Sequence, residues 1–150
     1  MNELTIKNNI TINASAAKVW DALVNPQQTK KYMFGCETVS DWNVGSELIW
    51  RGEYEGKSMD FVQGYIIKLE PEKQLEYTVI NPNNKNIPMV SENYLTVTYE
   101  LIAEGNTTIL NVTQGDYSKV LEGERRFKEA DNGGQGWSPI LELIKKQVEE

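Results

Sequence analysis

The spacing of apolar residues changes near the end of this chain of 150 residues. Over about residues 36–114, apolar and polar residues tend to alternate, most clearly at Leu95, Val97, Tyr99 and Leu101. Towards the C-terminus they recur at helical spacing instead, in a stripe made of Trp137, Ile140, Leu141, Ile144 and Val148. Alternation predicts half-buried strands, and helical spacing predicts an amphipathic helix. We therefore predict an antiparallel sheet followed by one long C-terminal helix.

The N-terminal part of the chain predicts one strand and two short helices. Apolar residues alternate over about residues 3–12, with a polar interruption at Asn8. Ser15 lies where the N-cap of a helix belongs. Asn25-Pro26 should end that helix, because the residue before a proline avoids the α region. A second short helix is expected over about 26–33.

Turn-forming segments divide the rest of the chain into hairpins. They predict strands over about 36–42, 46–54, 57–69 and 107–115, with further strands around Tyr77 and Val97. A charged helical stretch over about 118–130 follows the last strand. The prediction is therefore a single α+β domain over residues 1–150, with six or seven antiparallel strands, two short helices after the first strand and a long C-terminal helix.

Charge and composition limit the classes of partner. The formal net charge is −7, and negative charge repels nucleic-acid phosphates and anionic membrane surfaces. No apolar run approaches the roughly 20 residues needed to cross a bilayer. The first residues do not resemble a secretory leader. We expect a cytoplasmic protein with no nucleic-acid partner and no stable membrane insertion.

The chain contains no histidine and a single cysteine, Cys36. The absence of histidine excludes Ser-His-Asp and Cys-His catalysis and removes the commonest transition-metal ligand. One thiolate cannot build a zinc site, and no Asp-rich calcium loop is present. The sequence therefore predicts no metal, no cofactor and no catalytic residue.

Acidic residues cluster in one predicted hairpin, where they could suggest acid–base catalysis. Strand spacing places Glu47, Glu53 and Glu55 on one face with Arg51. A solvated face with ion pairs explains this arrangement better than a catalytic site does.

Several motifs, in order along the chain, resemble the START-like (SRPBCC) superfamily. Within it, they are most similar to the C-terminal domain of the activator of the heat-shock-protein-90 ATPase. The segments that carry this resemblance are residues 14–23 with Asn25-Pro26, Val44-Gly45-Ser46, residues 64–71 and 75–78, residues 96–101 and 107–114, and Gly136-Trp137 with Leu141. Ser46 departs from the pattern, since family members usually have a second glycine there.

This resemblance implies a helix-grip fold, in which a curved sheet encloses the C-terminal helix and leaves a cavity between them. It leaves the activity open, because the superfamily includes lipid carriers, hormone receptors, polyketide cyclases and co-chaperone domains. A shared fold does not determine a shared function.

Aromatic residues on the predicted strands and the final helix are the candidates for lining such a cavity. Core filling is the simpler explanation for any one of them, but ligand cavities also combine aromatic walls with a few polar groups. If Leu69 is buried, the alternation of side chains along its strand predicts that Tyr65 and Ile67 also face inward. The predicted pocket residues are Trp50, Phe61, Tyr65, Tyr77, Tyr99, Gln114, Trp137 and Leu141.

Three functions remain open at this point. The first is a non-enzymatic module that binds a small hydrophobic or amphipathic molecule in a largely closed apolar pocket. The second is a protein-interaction module whose partner is a chaperone or another protein, which predicts an exposed apolar patch. The third is a cyclase- or hydratase-like enzyme, which predicts a carboxyl group with a perturbed pKa inside the pocket.

Overall fold

The structure of the protein, a computed structural model, describes residues 4–149. Its strands form one antiparallel sheet with the order β1-β7-β6-β5-β4-β3-β2. The strands are β1 (Ile6–Ile12), β2 (Glu37–Ser40), β3 (Glu47–Tyr54), β4 (Lys57–Glu70), β5 (Gln74–Val79), β6 (Leu95–Glu104) and β7 (Thr107–Gly115). The helices are α1 (Ala16–Val24), α2 (Pro26–Tyr32), α3 (Gly123–Asp131) and α4 (Ser138–Glu149). This architecture confirms the predicted α+β helix-grip fold with a curved seven-stranded sheet.

The two short helices begin and end where the sequence predicts. The Ser15 hydroxyl accepts a hydrogen bond from the Lys18 backbone N–H and so caps α1. Asn25 ends α1 and also caps α2, because its side-chain oxygen accepts from the Gln27 backbone N–H at 3.0 Å. No helix within residues 4–149 is both long enough and apolar enough to span a membrane.

The core lies between the concave face of the sheet and the helices. Alternate residues of β5, β6 and β7 face inward and are almost fully buried: Leu75, Tyr77, Val97, Tyr99, Leu110 and Val112. From α4, Leu141 and Ile144 are 1% and 0% exposed. α4 contacts β1, α1 and α2. The apolar stripe in the sequence therefore corresponds to the buried face of this helix.

Asn8, the polar interruption in the first predicted strand, connects β1 to the beginning of α4. Its side-chain oxygen accepts a hydrogen bond from the Trp137 backbone N–H at 2.9 Å. Its amide nitrogen donates to the Ser138 hydroxyl at 3.1 Å. The adjacent Gly136 has a φ of 48°, and a Cβ there would lie 2.5 Å from the Asn8 side-chain oxygen. The glycine-rich segment is thus a tight turn that brings α4 against β1.

The prediction that Tyr65 and Ile67 face inward is wrong. Both side chains are 44% exposed, while Ile66 between them is 1% exposed. The register between β4 and β5 shifts between Ile66 and Lys68. A β-bulge at this point reverses the alternation of faces, so extrapolation back from Leu69 gives the wrong face for earlier residues.

The charged helical stretch also begins later than predicted. A 3₁₀ turn at Tyr117–Lys119 precedes α3, which starts only at Gly123. Asp116 stabilises this turn by accepting hydrogen bonds from the backbone N–H and the hydroxyl of Ser118. The first strand begins at Ile6; its predicted start at residue 3 lies outside the described residues.

Two leucines on α4 provide a matched test of this packing. Leu141→Ala should lower the free energy of unfolding by about 2–5 kcal/mol, because a 1% exposed side chain is replaced by a cavity. Leu143→Ala should change it by only about 0.5 kcal/mol, because Leu143 is 48% exposed. Urea denaturation of both variants measures the difference. Equal effects would contradict the assignment of the buried helix face.

Candidate functional site

A cavity of about 510 Å³ lies between the concave face of the sheet and the helical side of the fold. We call it the apolar cavity. The strands contribute Trp50, Phe61, Val62, Tyr77, Val79, Val97 and Gln114. The remaining lining residues follow α2, belong to α3, or lie at the start of α4: Met33, Phe34, Cys36, Ala130, Gly136, Trp137 and Ile140. Its size and its mainly apolar lining are typical of small-molecule sites.

Hydrogen bonds fix two aromatic side chains in the cavity wall. The Trp137 indole N–H donates to the side-chain oxygen of Gln114 at 2.7 Å. The Trp137 ring also packs edge-on against Tyr99, with ring centroids 5.8 Å apart. The hydroxyls of Tyr77 and Tyr99 are 2.8 Å apart and hydrogen-bonded. These contacts give the cavity a rigid wall with few polar groups.

Phe61 enters the cavity because of a second β-bulge. Trp50 pairs with Val62 and Arg51 with Asp60, so Phe61 has no residue opposite it on β3. A Cβ at Gly52 would lie 3.2 Å from both the Phe61 ring and the Cys36 sulfur. The absence of a side chain at Gly52 therefore leaves room for both groups. Burial raises the pKa of the Cys36 thiol, which favours the neutral, unreactive form.

The segment after α2 borders the cavity on the solvent side. Met33 is half-buried, and the Phe34 side chain is 86% exposed although it lines the cavity. Phe34 has a φ of 54°, and Gly35 has a φ of 82°. This tight turn places an aromatic side chain at the boundary between the cavity and solvent.

Most of the predicted pocket residues lie in or directly behind this cavity. Trp50, Phe61, Tyr77, Gln114 and Trp137 line it. Tyr99 and Leu141, each 1% exposed, lie in the core outside the lining. Tyr65 lies on the outer face and contacts Tyr94, with ring centroids 6.3 Å apart.

The lining residues that the sequence did not indicate lie mainly outside regular strands. Met33, Phe34 and Cys36 come from the connection between α2 and β2, and Ala130 comes from α3. Their local sequence carries no signal of proximity to the sheet, because only the chain path brings them there. Val79 and Val97 were detectable as inward residues from the alternation in their strands, whereas the same rule, counted back from Leu69, places Val62 on the outer face.

The charged side chains of the β3–β4 hairpin lie outside the cavity lining, although Trp50 and Phe61 of the same hairpin belong to it. Arg51 forms an ion pair with Asp60 at 2.6 Å, and both side chains are substantially solvated. Glu47, Glu53 and Glu55 are exposed. Within residues 4–149, no Asp, Glu, Lys or Arg lines the apolar cavity.

The sheet order and the C-terminal helix above a cavity define the START-like class. A profile described as activator of Hsp90 ATPase homolog 1-like protein matches residues 13–149. The chain belongs to this family.

Solved structures agree with this assignment. A protein from Cytophaga hutchinsonii is 35% identical, with a TM-score of 0.76, and the match covers 99% of this chain and 97% of that chain. The Aha1 dimer from Colwellia psychrerythraea is 19% identical, with a TM-score of 0.67 and coverage of 97% and 96%. CalU16 from Micromonospora echinospora is also 19% identical, with a TM-score of 0.67 and coverage of 96% and 73%. The latter two similarities show the fold alone. No curated protein gives a significant match.

The buried tyrosines predict a loss of stability at alkaline pH. The reference pKa is 10.0, and burial raises the pKa of Tyr32 and Tyr77 well above it in the folded protein. Above about pH 10 the unfolded chain therefore loses protons that the folded chain retains. The free energy of unfolding should fall by up to about 1.4 kcal/mol per pH unit for each such group.

Tyr77→Phe removes one of these groups and should make the pH dependence less steep. Urea denaturation at a series of pH values between about 9 and 11 measures the slope for both proteins. The lost hydrogen bond to Tyr99 shifts the stability at every pH, so only the slope reports the titration. An unchanged slope would contradict the burial of a neutral hydroxyl at this position.

Proposed function

We propose that this protein binds a small hydrophobic or amphipathic molecule in the apolar cavity and does not act on it chemically. The observation that carries this proposal is the cavity itself, about 510 Å³ in volume and walled by aromatic and aliphatic side chains. Membership of the family and of the START-like class is consistent with ligand binding. Binding would replace water against this surface by apolar contacts, which is favourable.

The position of the polar groups supports an oriented ligand. Gln114 and Tyr77 lie among apolar lining residues, and the Tyr77 hydroxyl is hydrogen-bonded to Tyr99. A ligand that carries one or two polar atoms could hydrogen-bond there while its apolar part contacts Val62, Val79 and Val97. The same few groups would give specificity, since a buried polar atom without a partner costs free energy.

An enzyme of the cyclase or hydratase kind receives less support. Such chemistry needs an acid or a base within hydrogen-bond reach of the substrate. Among the described residues, the ionisable lining groups of the apolar cavity are Cys36 and Tyr77. Burial raises the pKa of both groups, which keeps them neutral and makes them poor bases near neutral pH.

The family description suggests a second function, that of a protein-interaction module. Its partner would be a chaperone or another protein. It requires an extended apolar surface. The most exposed large apolar side chains, Phe34, Val44 and Tyr54, lie in separate connections or at a strand end. The continuous apolar lining of the cavity therefore supports ligand binding more directly than these separate side chains support a protein partner.

Thermal unfolding with a panel of fatty acids, sterols, flavonoids and polyketide-like aromatics tests the proposal. A compound present at about 100 times its Kd should add roughly 2.7 kcal/mol to the free energy of unfolding. For a chain of this length, the melting temperature should rise by about 5–10 °C.

Ala130→Phe should abolish this shift by filling the cavity, because Ala130 is half-buried and lines it. Ala103→Phe adds the same side chain at an exposed position of β6 and should leave the shift unchanged. If no compound raises the melting temperature of the unmodified protein, the ligand-binding proposal fails. If both variants retain the full shift, the ligand binds elsewhere.

A further inference from the structure

A second, more polar cavity of about 390 Å³ lies beside the apolar cavity. Val62, Val79, Gln114 and Ala130 line both spaces. We call this second space the polar cavity, and the four shared residues place it next to the apolar cavity. The question is which chemical group the polar cavity would accept.

Arg126 lines the polar cavity without a carboxylate partner. Its guanidinium donates to the backbone carbonyls of Leu121 and Asn93, at 3.2 and 3.3 Å. Within residues 4–149, no Asp or Glu oxygen lies within 4.0 Å of it, and burial lowers its pKa. Its neighbour Arg125, in contrast, forms ion pairs with both Glu122 and Glu129. Glu122 acts on Arg126 only from beyond ion-pair distance. A half-buried cation without an ion pair is unfavourable and favours an anionic ligand at close range.

Two further side chains offer hydrogen-bond donors to the same space. Tyr117 lines the polar cavity and is 2% exposed, but its hydroxyl has no partner among the described residues. Fully enclosed side-chain polar atoms in the described part of the chain all have hydrogen-bond partners, so the Tyr117 hydroxyl is not fully enclosed. In Gln114, the side-chain oxygen accepts from Trp137, which leaves the NH₂ group free to donate.

We propose that the polar cavity binds the carboxylate of an amphipathic anion whose apolar part occupies the apolar cavity. This inference rests on the proposed ligand-binding function and specifies the class of ligand. Arginine forms paired hydrogen bonds with a planar carboxylate, and the Tyr117 hydroxyl and the Gln114 amide supply further donors. Glu129 also lines this space, and its charge disfavours a doubly charged phosphate relative to a singly charged carboxylate.

Two ligands with the same alkyl chain and different head groups show how much of the binding affinity depends on the head group. Decanoate and decanol are titrated by calorimetry, each below its micelle or solubility limit, into the unmodified protein and into Arg126→Gln. Arg126→Gln should weaken decanoate binding about tenfold and change decanol binding less than about twofold, because only the carboxylate contacts the guanidinium. Decyl phosphate serves as the doubly charged comparison and should bind more weakly than decanoate.

Lys128→Gln is the matched control, because it removes one positive charge from the same helix. Lys128 is exposed and lines neither cavity. It should leave decanoate binding unchanged, which separates a local contact from a general change in net charge. Tyr117→Phe deletes a single hydroxyl and should weaken decanoate binding about fivefold without affecting decanol. It provides the test if Arg126→Gln does not fold.

The outcomes distinguish this inference from the proposed function. If decanol and decanoate bind and Arg126→Gln weakens both equally or neither, the carboxylate assignment is wrong but the cavity still binds ligands. If decyl phosphate binds more tightly than decanoate, the preference for a singly charged group is wrong. If neither decyl compound binds and the wider ligand panel gives no thermal shift, the proposed function itself fails.

Discussion

The attachment of α4 to the sheet through Trp137 is the interaction on which the fold and the cavity both depend. Three different parts of Trp137 each contact a different strand. Its backbone N–H donates to Asn8 on β1, its indole N–H donates to Gln114 on β7, and its ring packs against Tyr99 on β6. These contacts connect the beginning of the helix to three neighbouring strands, and they place a large aromatic side chain at the cavity wall.

This attachment explains how the chain keeps a cavity without losing its core. Farther along α4, Leu141 and Ile144 are almost fully buried, whereas Ile140 lines the cavity. Hydrophobic burial therefore secures the middle of the helix, while directional hydrogen bonds secure its beginning. Directional bonds can hold a helix end beside an open space, which close packing alone would fill.

The sequence was sufficient for the architecture because strands and helices differ in hydrophobic period. It was not sufficient where a bulge interrupts that period. Tyr65 was assigned to the wrong face because the bulge after Ile66 has no marker in the local sequence. Phe61, itself a bulge residue, was assigned to the pocket from its aromatic character alone. The contribution of Met33 and Phe34 depends on where the connection after α2 lies in space, which no local pattern encodes.

The two cavities differ in charge, so a ligand with one charged end and one apolar end would bind in a single orientation. Ionised side chains are excluded from the described lining of the apolar cavity, although a quarter of the chain is charged (25%). The polar cavity contains Arg126, which forms no ion pair within residues 4–149, although the net charge of the protein is −7. Because isolated half-buried charges are costly, this arrangement is explained more simply by an amphipathic ligand than by packing alone. The apolar cavity would then accommodate the ligand body, and Arg126 would determine which end enters the polar cavity.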